Sequence, residues 1–232
     1  SIAKKCEWKN TKTRVERQKS MSQKRIAVDF YFDYSCPWTY LGFRRLVDAT
    51  TRTASDIHWK PINLEIVKNI LDKPKLNAPD YQKNYRKKDL QDWSNYCSVK
   101  INHMDNIDHN ISMTASRGVA YAEEKGLIKE YSEQVFKAFF SDLKDISDKK
   151  VLMNIATKIE LDQEFQDHLD DQSLDLLVEN NSKELTQRGG YGSPTMFVED
   201  KMFFGNDRMN LVEFAIGQAS GRILVLPGQH NT

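Results

Sequence analysis

The stretch IAVDFYFDYSCPWTYLG, residues 26–42, decides the fold of this chain. Its first part, Ile26 to Phe32, is a short run rich in β-branched and aromatic residues, which predicts a buried strand. A turn follows, and Pro37 then opens a run with apolar residues at helical spacing that extends to about Thr50. Proline suits the first position of a helix because its φ is already helical and no hydrogen bond is lost there. The stretch therefore predicts a strand that passes directly into a helix.

The rest of the chain supplies a second strand, a long helical block and a final hairpin. Residues 56–60 alternate like a strand, and a strand, a helix and a strand in succession predict a parallel pair. Between Leu64 and about Arg188 every periodic segment is helical, with helices predicted near 81–97, 113–125, 128–140, 151–159 and 173–187. After Gly189 the period returns to two, which predicts strands at 195–198 and 201–204 and then a last helix at 209–218.

This order predicts an α/β fold in which two halves of one sheet domain enclose a large all-helical insertion. We assign the sheet domain to residues 23–63 and 189–222, and the insertion to residues 64–188. Residues 1–22 are expected to be a basic disordered extension or a remnant of expression, and residues 223–232 a C-terminal tail.

The composition is typical of a folded enzyme or binding domain. Of the 232 residues, 39% are hydrophobic and 29% are charged, as in ordinary globular chains. A formal net charge of +1, with positive and negative residues interleaved, argues against nucleic-acid binding, which favours clustered basic residues. The sequence has neither a run of ~20 apolar residues nor the apolar core of a secretory signal, so we expect no membrane contact and a cytoplasmic location.

The cysteines point to one reactive position. Cys6, Cys36 and Cys97 stand at irregular spacing, unlike a disulfide framework or a zinc site. Cys36 directly precedes the first predicted helix, where unpaired N–H groups and the helix dipole favour an anion. Thiol pKa values at such positions fall from ~8.5 toward ~3.5–7.5, which predicts that Cys36 is nucleophilic at neutral pH. The alternative is that Cys36 is a small buried apolar residue.

Two later motifs lie next to predicted strands. GSPT, residues 192–195, opens the hairpin, and a Ser-Pro bond adopts the cis form far more readily than other bonds do. A cis bond would turn the main-chain groups of Ser193 outward, where they would hold a peptide, whereas an ordinary trans proline is the alternative. Asn206 and Asp207 follow the last strand, and they either cap the last helix or bind the charged end of a small ligand.

Three stretches together resemble the family of 2-hydroxychromene-2-carboxylate isomerases and kappa-class glutathione transferases, within the DsbA-like thioredoxin superfamily. They are DFYFDYSCPWTYLG (residues 29–42), GSPT (192–195) and FFGNDR (203–208), and the resemblance covers roughly residues 26–221. It implies a thioredoxin-like fold with a large all-helical insertion, the DsbA-like arrangement. It also implies glutathione as cofactor, a small hydrophobic or aromatic substrate and, because family members often dimerise, a homodimer.

The resemblance also assigns roles to particular residues. The family's catalytic serine, which hydrogen-bonds the thiolate of bound glutathione, falls on Cys36. The main chain of Ser193 would pair with the cysteinyl group of glutathione, and a polar pair further on would hold its γ-glutamyl end. The family's contacts to glutathione thus fall on Ser193, Pro194, Asn206, Asp207 and Lys83.

Two departures from the family leave the activity open. The thiol of Cys36 is a weaker hydrogen-bond donor than the family's hydroxyl. DsbA-like oxidases carry a second cysteine three positions after the first, but this chain has Thr39 there, so a dithiol cycle would need Cys97. Three hypotheses follow: a glutathione-dependent isomerase or transferase, a monothiol thiol-disulfide oxidoreductase that uses Cys36, and a non-catalytic binding protein on a thioredoxin scaffold.

The remaining patterns predict structure rather than chemistry. Four residues of one short polar segment have side chains that bind zinc in other proteins, namely His103, Asp105, Asp108 and His109. Their spacing matches no recognised zinc framework, so we expect a solvated loop and no metal. Four aromatic residues at helical spacing are expected to pack the insertion against the sheet domain, namely Tyr131, Phe136, Phe139 and Phe140.

Overall fold

The computed structural model describes residues 25–72, 78–102 and 107–221 of the chain. Its strands are β1 (Ala27–Phe32), β2 (Asp56–Pro61), β3 (Thr195–Val198) and β4 (Lys201–Phe204). They form one sheet in the order β2-β1-β3-β4. Strand β1 pairs with β2 in parallel and with β3 antiparallel, and β3 pairs antiparallel with β4. The predicted parallel pair and the predicted hairpin are both confirmed.

The helices agree closely with the sequence pattern. Within the described residues they are α1 (Pro37–Thr53), α2 (Leu64–Ile70), α3 (Asp80–Tyr96), α4 (Met113–Glu124), α5 (Ile128–Phe136), α6 (Lys149–Lys158), α7 (Phe165–Asp170), α8 (Asp175–Gln187) and α9 (Met209–Ser220). Three details differ from the prediction. Residues 137–141 form a wider π-type turn rather than the last turn of α5, and two short helices, α2 with seven residues and α7 with six, were not predicted.

Strand β1 lies in the interior of the sheet, and its last three residues, Phe30 to Phe32, are buried on both faces. Val28, Phe30 and Phe32 alternate along it and are fully buried in a cluster that includes residues of α1 and α9. Tyr31 lies on the opposite face, where it packs with residues of α2 and α8. In the antiparallel register Tyr31 stands opposite Thr195, so the residues after β1 emerge beside the residues that precede β3. This register brings Cys36 and Pro194 together.

The insertion shares one hydrophobic core with the sheet and α1. The rings of Tyr34 and Phe43 contact Phe136 at centroid distances of 5.0 and 5.5 Å. Tyr40 of α1 stacks on Phe136 at 5.4 Å and on Phe140 at 5.8 Å. The predicted packing of the insertion's aromatic residues against the sheet domain is therefore confirmed.

Several sequence-based predictions lie outside the described residues. They concern the extension at 1–22, the tail at 223–232, Cys6, His103 and Asp105. Among the helices that the structure describes, none combines the length and the apolar character needed to cross a bilayer.

Candidate functional site

Cys36 is the residue at which the turn after β1 becomes helix α1. Its backbone is extended (φ −94°, ψ 114°), and Pro37 occupies the first helical position as predicted. The Cys36 N–H donates to the carbonyl of Asp33 at 3.0 Å, which closes the turn. The carbonyl of Cys36 accepts the N–H groups of Thr39 and Tyr40 at 3.1 and 3.2 Å and so begins the helix. The side chain of Cys36 makes no capping hydrogen bond to the helix.

The Cys36 thiol faces the loop before β3. Its sulfur lies 3.1 Å from the carbonyl oxygen of Ser193, to which the S–H donates, although the two residues are 157 positions apart. The peptide bond between Ser193 and Pro194 is cis. The predicted cis form and the predicted approach of the two motifs are confirmed, and the trans alternative is wrong.

A second set of hydrogen bonds fixes the Ser193 side chain beneath the turn. Its Oγ accepts the N–H of Asp33 at 3.0 Å and lies 2.5 Å from the hydroxyl of Thr39. All three residues are buried. Thr39 thus occupies the position of the second cysteine of a dithiol motif and ties α1 to the Ser193 loop. From the sequence, Thr39 stood out only as the residue in place of a second cysteine. A hydroxyl residue on the first turn of a helix could have indicated a hydrogen bond to a nearby loop.

The protonation state of Cys36 differs from the prediction. The residue is 4% exposed, and burial raises the pKa of its thiol to about 11. The hydroxyl and N–H of Thr39 and the N–H of Trp38 lie near enough to the sulfur to lower the pKa, as expected at a helix N-terminus, while the charge of Asp33 raises it. The prediction of a nucleophilic thiolate at neutral pH is therefore wrong, because loss of hydration outweighs the favourable helix end.

Asn206 and Asp207 lie in a short 3₁₀ turn, Asn206–Arg208, between β4 and α9. Neither side chain caps α9, so the capping alternative is wrong. Asn206 is buried, and its backbone carbonyl accepts a hydrogen bond from Nη1 of Arg45 at 2.6 Å. Within the described part of the chain, the Nδ2 of Asn206 has no hydrogen-bond partner. Asp207 is exposed and pairs with the neighbouring Arg208 at 3.2 Å.

The close approach of Asn206 to α1 depends on a glycine. A Cβ placed on Gly42 would lie 3.4 Å from the Cβ of Asn206 and 3.0 Å from Cε of Met209. Gly42 stands on the first turns of α1, close in sequence to Cys36. The 3₁₀ turn is therefore held against the same end of α1 that presents the thiol.

Lys83 makes a hydrogen bond that stays within its own helix and does not join the residues around Cys36. Its ammonium group is exposed on α3 and pairs with Asp80 at 3.5 Å, one turn earlier in the same helix. Lys88, further along α3, pairs with Asp92. Residues 83–88 are all exposed, so this stretch is a solvated helix face, and a role for Lys83 toward glutathione stays a prediction.

Asp108 and His109 belong to the segment that was predicted to be a solvated loop, and only Asp108 is exposed. His109 is half-buried, and its Nδ1 lies 2.6 Å from Oγ of Ser35, beside Cys36. Asp108 is exposed and accepts the N–H of Asn110 at 3.0 Å. In residues 25–72, 78–102 and 107–221, no cluster of metal-binding side chains is present. The prediction of a solvated position is therefore wrong for His109, because the insertion folds this residue back onto the turn after β1.

Cys97 does not pair with Cys36. Both are free thiols. Cys97 is half-buried at the end of α3, in a surface cleft of about 460 Å³ that Arg44 and Arg45 also line. Burial raises the pKa of the Cys97 thiol, and Arg45 lowers it. The two cysteines whose positions are described thus form no dithiol pair.

The sheet is built from a β-α-β half and a β-β-α half, with a helical insertion between them. On this sheet a cysteine at a helix N-terminus faces a cis proline, and the combination defines a thioredoxin-like protein with a helical insertion. The chain belongs to the family of the DSBA-like thioredoxin domain, whose sequence profile matches residues 27–217. The predicted fold class and the predicted family resemblance are both confirmed.

The named relatives include isomerases, and the solved structures of similar fold include a disulfide reductase. A 2-hydroxychromene-2-carboxylate isomerase from Pseudomonas sp. (strain C18) is 27% identical over 199 residues, which cover 84% of this chain and 92% of the relative. A solved 2-hydroxychromene-2-carboxylate isomerase structure has a TM-score of 0.72 and 25% identity, and the match covers 84% of this chain and 96% of that one. The cytosolic disulfide reductase DsbM from Pseudomonas aeruginosa, solved with GSH, has a TM-score of 0.60 at 14% identity, over 84% and 98% of the chains. The isomerase relatives support an enzymatic activity for this chain.

Proposed function

We propose that this protein is a glutathione-dependent isomerase or transferase that acts on a small hydrophobic or aromatic electrophile. The observation that carries the proposal is the position of the Cys36 thiol, which stands at the start of α1, 3.1 Å from the Ser193 carbonyl of the cis Ser193–Pro194 peptide. The isomerase relatives, which match 84% of this chain, support the reaction class. The GSH-bound disulfide reductase of the same fold supports the choice of cofactor.

The protonation state of Cys36 favours this role over direct attack. When bound, glutathione would supply a thiolate that adds to the substrate and, in an isomerisation, leaves again after bond rotation. Cys36 would steady that sulfur by donating its S–H, the part that the family's serine plays. A donor needs its proton, and a thiol with a pKa of about 11 keeps it at neutral pH.

The residues around Cys36 fit the two ends of glutathione. Ser193 offers main-chain groups beside the thiol, and Pro194 fixes their direction. The Nδ2 of Asn206 is a buried donor without a partner in the described chain, and such a group costs about 1–3 kcal/mol until it is satisfied. A carboxylate at the γ-glutamyl end would satisfy it, and the exposed carboxylate of Asp207 would attract the α-amino group there. Lys83 does not contact these residues, and the family resemblance alone supports a role in which it would contribute positive charge for the opposite carboxylate.

The test compares Cys36→Ser with Cys36→Ala, using 2-hydroxychromene-2-carboxylate with and without reduced glutathione. Because a hydroxyl is a stronger donor than a thiol, we expect Cys36→Ser to keep or raise the glutathione-dependent rate. Cys36→Ala removes the donor and should lower the rate by about 10²-fold. Loss of activity in Cys36→Ser, or isomerisation that does not need glutathione, would contradict the proposal.

A monothiol oxidoreductase is the second candidate, because Cys36 is a free thiol beside a cis proline in the fold of a known disulfide reductase. In that reaction the Cys36 thiolate attacks a disulfide, and the displaced sulfur takes the leaving electron pair. Both substitutions of Cys36 should then abolish exchange with a glutathione mixed disulfide. The third hypothesis, a non-catalytic binding protein, requires a buried and unreactive Cys36. Its 4% exposure meets the first requirement, and rapid alkylation near neutral pH would exclude the second.

A further inference from the structure

A buried carboxylate lies under the turn that carries Cys36. The side chain of Asp33 is 0% exposed, yet its oxygens accept three hydrogen bonds. Oδ1 accepts the N–H and the hydroxyl of Ser35 at 2.8 and 2.7 Å, and Oδ2 accepts the N–H of Leu64 at 2.9 Å. The main chain of Asp33 binds Cys36 through its carbonyl and Ser193 through its N–H. One residue thus links the thiol turn, the cis-proline loop and the start of α2.

The Ser35 hydroxyl extends this carboxylate to an imidazole. Ser35 is fully buried, and its Oγ lies 2.6 Å from Nδ1 of His109. A serine hydroxyl has one proton, which it donates to the carboxylate, so its oxygen accepts the proton on Nδ1 of His109. The hydrogen bond at one ring nitrogen fixes the tautomer, which leaves the lone pair on Nε2.

We propose that His109 is a positioning residue that controls the reactivity of Cys36 through Ser35 and Asp33. The proposal rests on the proposed function only in taking Cys36 as the reactive centre. In the neutral state the Nδ1–H of His109 orients the Ser35 hydroxyl toward Asp33 and so helps to hold the thiol turn. When Nε2 takes up a proton from solvent, the ring becomes a cation one hydroxyl away from the Asp33 carboxylate. That cation offsets the negative charge that opposes ionisation of Cys36.

The charges around His109 determine where it titrates. Burial lowers the pKa of His109, the charge of Asp33 raises it, Lys68 lowers it, and Glu65 and Asp108 raise it. Lys68 and Glu65 of α2 pair with each other at 2.9 Å, so their effects on the ring oppose one another. Asp33 is the buried charge of the set, which makes it the partner that is least screened by solvent.

The test follows the alkylation of Cys36 by iodoacetamide, which has no group that titrates between pH 4 and pH 9, in a chain that carries Cys6→Ser and Cys97→Ser. A thiol far below its pKa reacts with a rate that rises tenfold per pH value. We expect a plot of the logarithm of the rate against pH to show one break, at the pH where His109 titrates. Below that pH the rate should exceed the line extrapolated from higher pH by roughly five-fold. The assay contains no glutathione, so its result is independent of whether glutathione binds.

Three variants distinguish charge control from a structural role. His109→Gln keeps an amide donor for Ser35 but does not titrate, and Ser35→Ala cuts the link to Asp33. Both should give an unbroken line. The control His168→Gln removes a histidine of α7 that packs on Tyr121, and it should keep the break. A wild-type line without a break, or a break that persists in His109→Gln, would overturn the proposal.

A second measurement does not depend on the thiol. The ring-nitrogen chemical shifts of His109 should show the neutral ring protonated on Nδ1, and Ser35→Ala should remove this preference. A neutral ring protonated on Nε2 would reverse the direction of the hydrogen bond to Ser35 and would overturn the proposal. The thermal unfolding of Ser35→Ala and of His109→Gln is first compared with that of the wild-type chain, so that all measurements are made on folded protein.

Discussion

At the scale of the residue, Cys36 experiences two opposing effects. The N-terminus of α1 offers N–H groups that favour a thiolate, and Thr39 adds a hydroxyl. Burial removes the water that would otherwise stabilise the charge, and this effect dominates. The neutral thiol instead donates to the carbonyl of Ser193. The position therefore suits a hydrogen-bond donor better than a permanently ionised nucleophile.

The raised pKa of Cys36 predicts a stability effect at alkaline pH. Its folded pKa, about 11, lies above the ordinary value of 9.0, so the folded state holds the proton more tightly than the unfolded state does. The resulting stabilisation is complete below pH 9 and is lost as the pH rises toward 11, by about 3 kcal/mol in total. Urea denaturation of the wild type and Cys36→Ser at pH 7 and pH 10.5 should show this loss only in the wild type.

Comparing the two proteins removes the contribution to stability of the other groups that titrate in the same pH range. Cys97 and the buried tyrosines are present in both proteins, so they change both stabilities equally. A difference in free energy of unfolding between the two proteins that stays constant from pH 7 to pH 10.5 would show that Cys36 is hydrated in the folded state.

The sequence predicted which residues meet at this site but not their protonation. Pro37 placed the thiol at the start of a helix, because it is a local signal with a fixed geometry. The Ser193–Pro194 motif alone left cis and trans open, and the family resemblance favoured the cis form that the structure has. The bonds of Thr39 and His109 were missed, because they join residues far apart in the chain. Burial of Cys36 depends on the whole fold, so no local pattern could reveal that its hydration would be lost.

At the scale of the element, three helices of the insertion, α4, α5 and α7, meet at a contact that leaves no room for a side chain at one position on α4. Gly118 of α4 faces the ring of Phe165 from α7 and the hydroxyl of Tyr131 from α5. A Cβ at Gly118 would lie 2.6 Å from the ring and 2.7 Å from the hydroxyl. The apolar periodicity predicted α4 and α5, but α7 has too few residues for such a pattern.

We therefore expect Gly118→Ala to destabilise the protein. Alanine is the better helix former, so without a clash the change would stabilise α4 by about 1 kcal/mol. Displacing Phe165 and the Tyr131 hydroxyl should instead lower the free energy of unfolding by about 1–3 kcal/mol, which chemical denaturation measures. Ala120→Gly, at an exposed position of the same helix, controls for helix propensity and should cost about 1 kcal/mol. A stabilised Gly118→Ala variant would contradict this description of the contact between α4, α5 and α7.

At the scale of the whole molecule, one aromatic cluster joins the insertion to the sheet domain. Tyr34, Tyr40 and Phe43 come from the first half of the chain, and all three contact Phe136 of α5. Phe136 is fully buried among them. The two parts assigned from the sequence therefore share their core, and the division at residues 63 and 189 stays a prediction, as does the homodimer.

A shared core predicts that the chain unfolds as one unit. Phe136→Ala should lower the free energy of unfolding by about 3–5 kcal/mol, because it removes a fully buried ring. Hydrogen exchange should then accelerate together in α1 and in α5, since Tyr40 and Phe43 of α1 lose the ring that α5 packs against them. Acceleration in α5 alone would show that the insertion unfolds independently of the sheet.

The most direct test of the account is a crystal structure of the wild-type protein with reduced glutathione. We predict that the glutathione sulfur lies next to the sulfur of Cys36 without a bond between them, that the cysteinyl main chain pairs with Ser193, and that the γ-glutamyl end meets Asn206 and Asp207. A mixed disulfide requires an oxidised partner, so a parallel crystal is soaked with oxidised glutathione. There Cys36 would displace one glutathione thiolate, and continuous density between Cys36 and the retained sulfur would support a monothiol oxidoreductase instead. Reduced glutathione bound elsewhere would contradict the assigned site altogether.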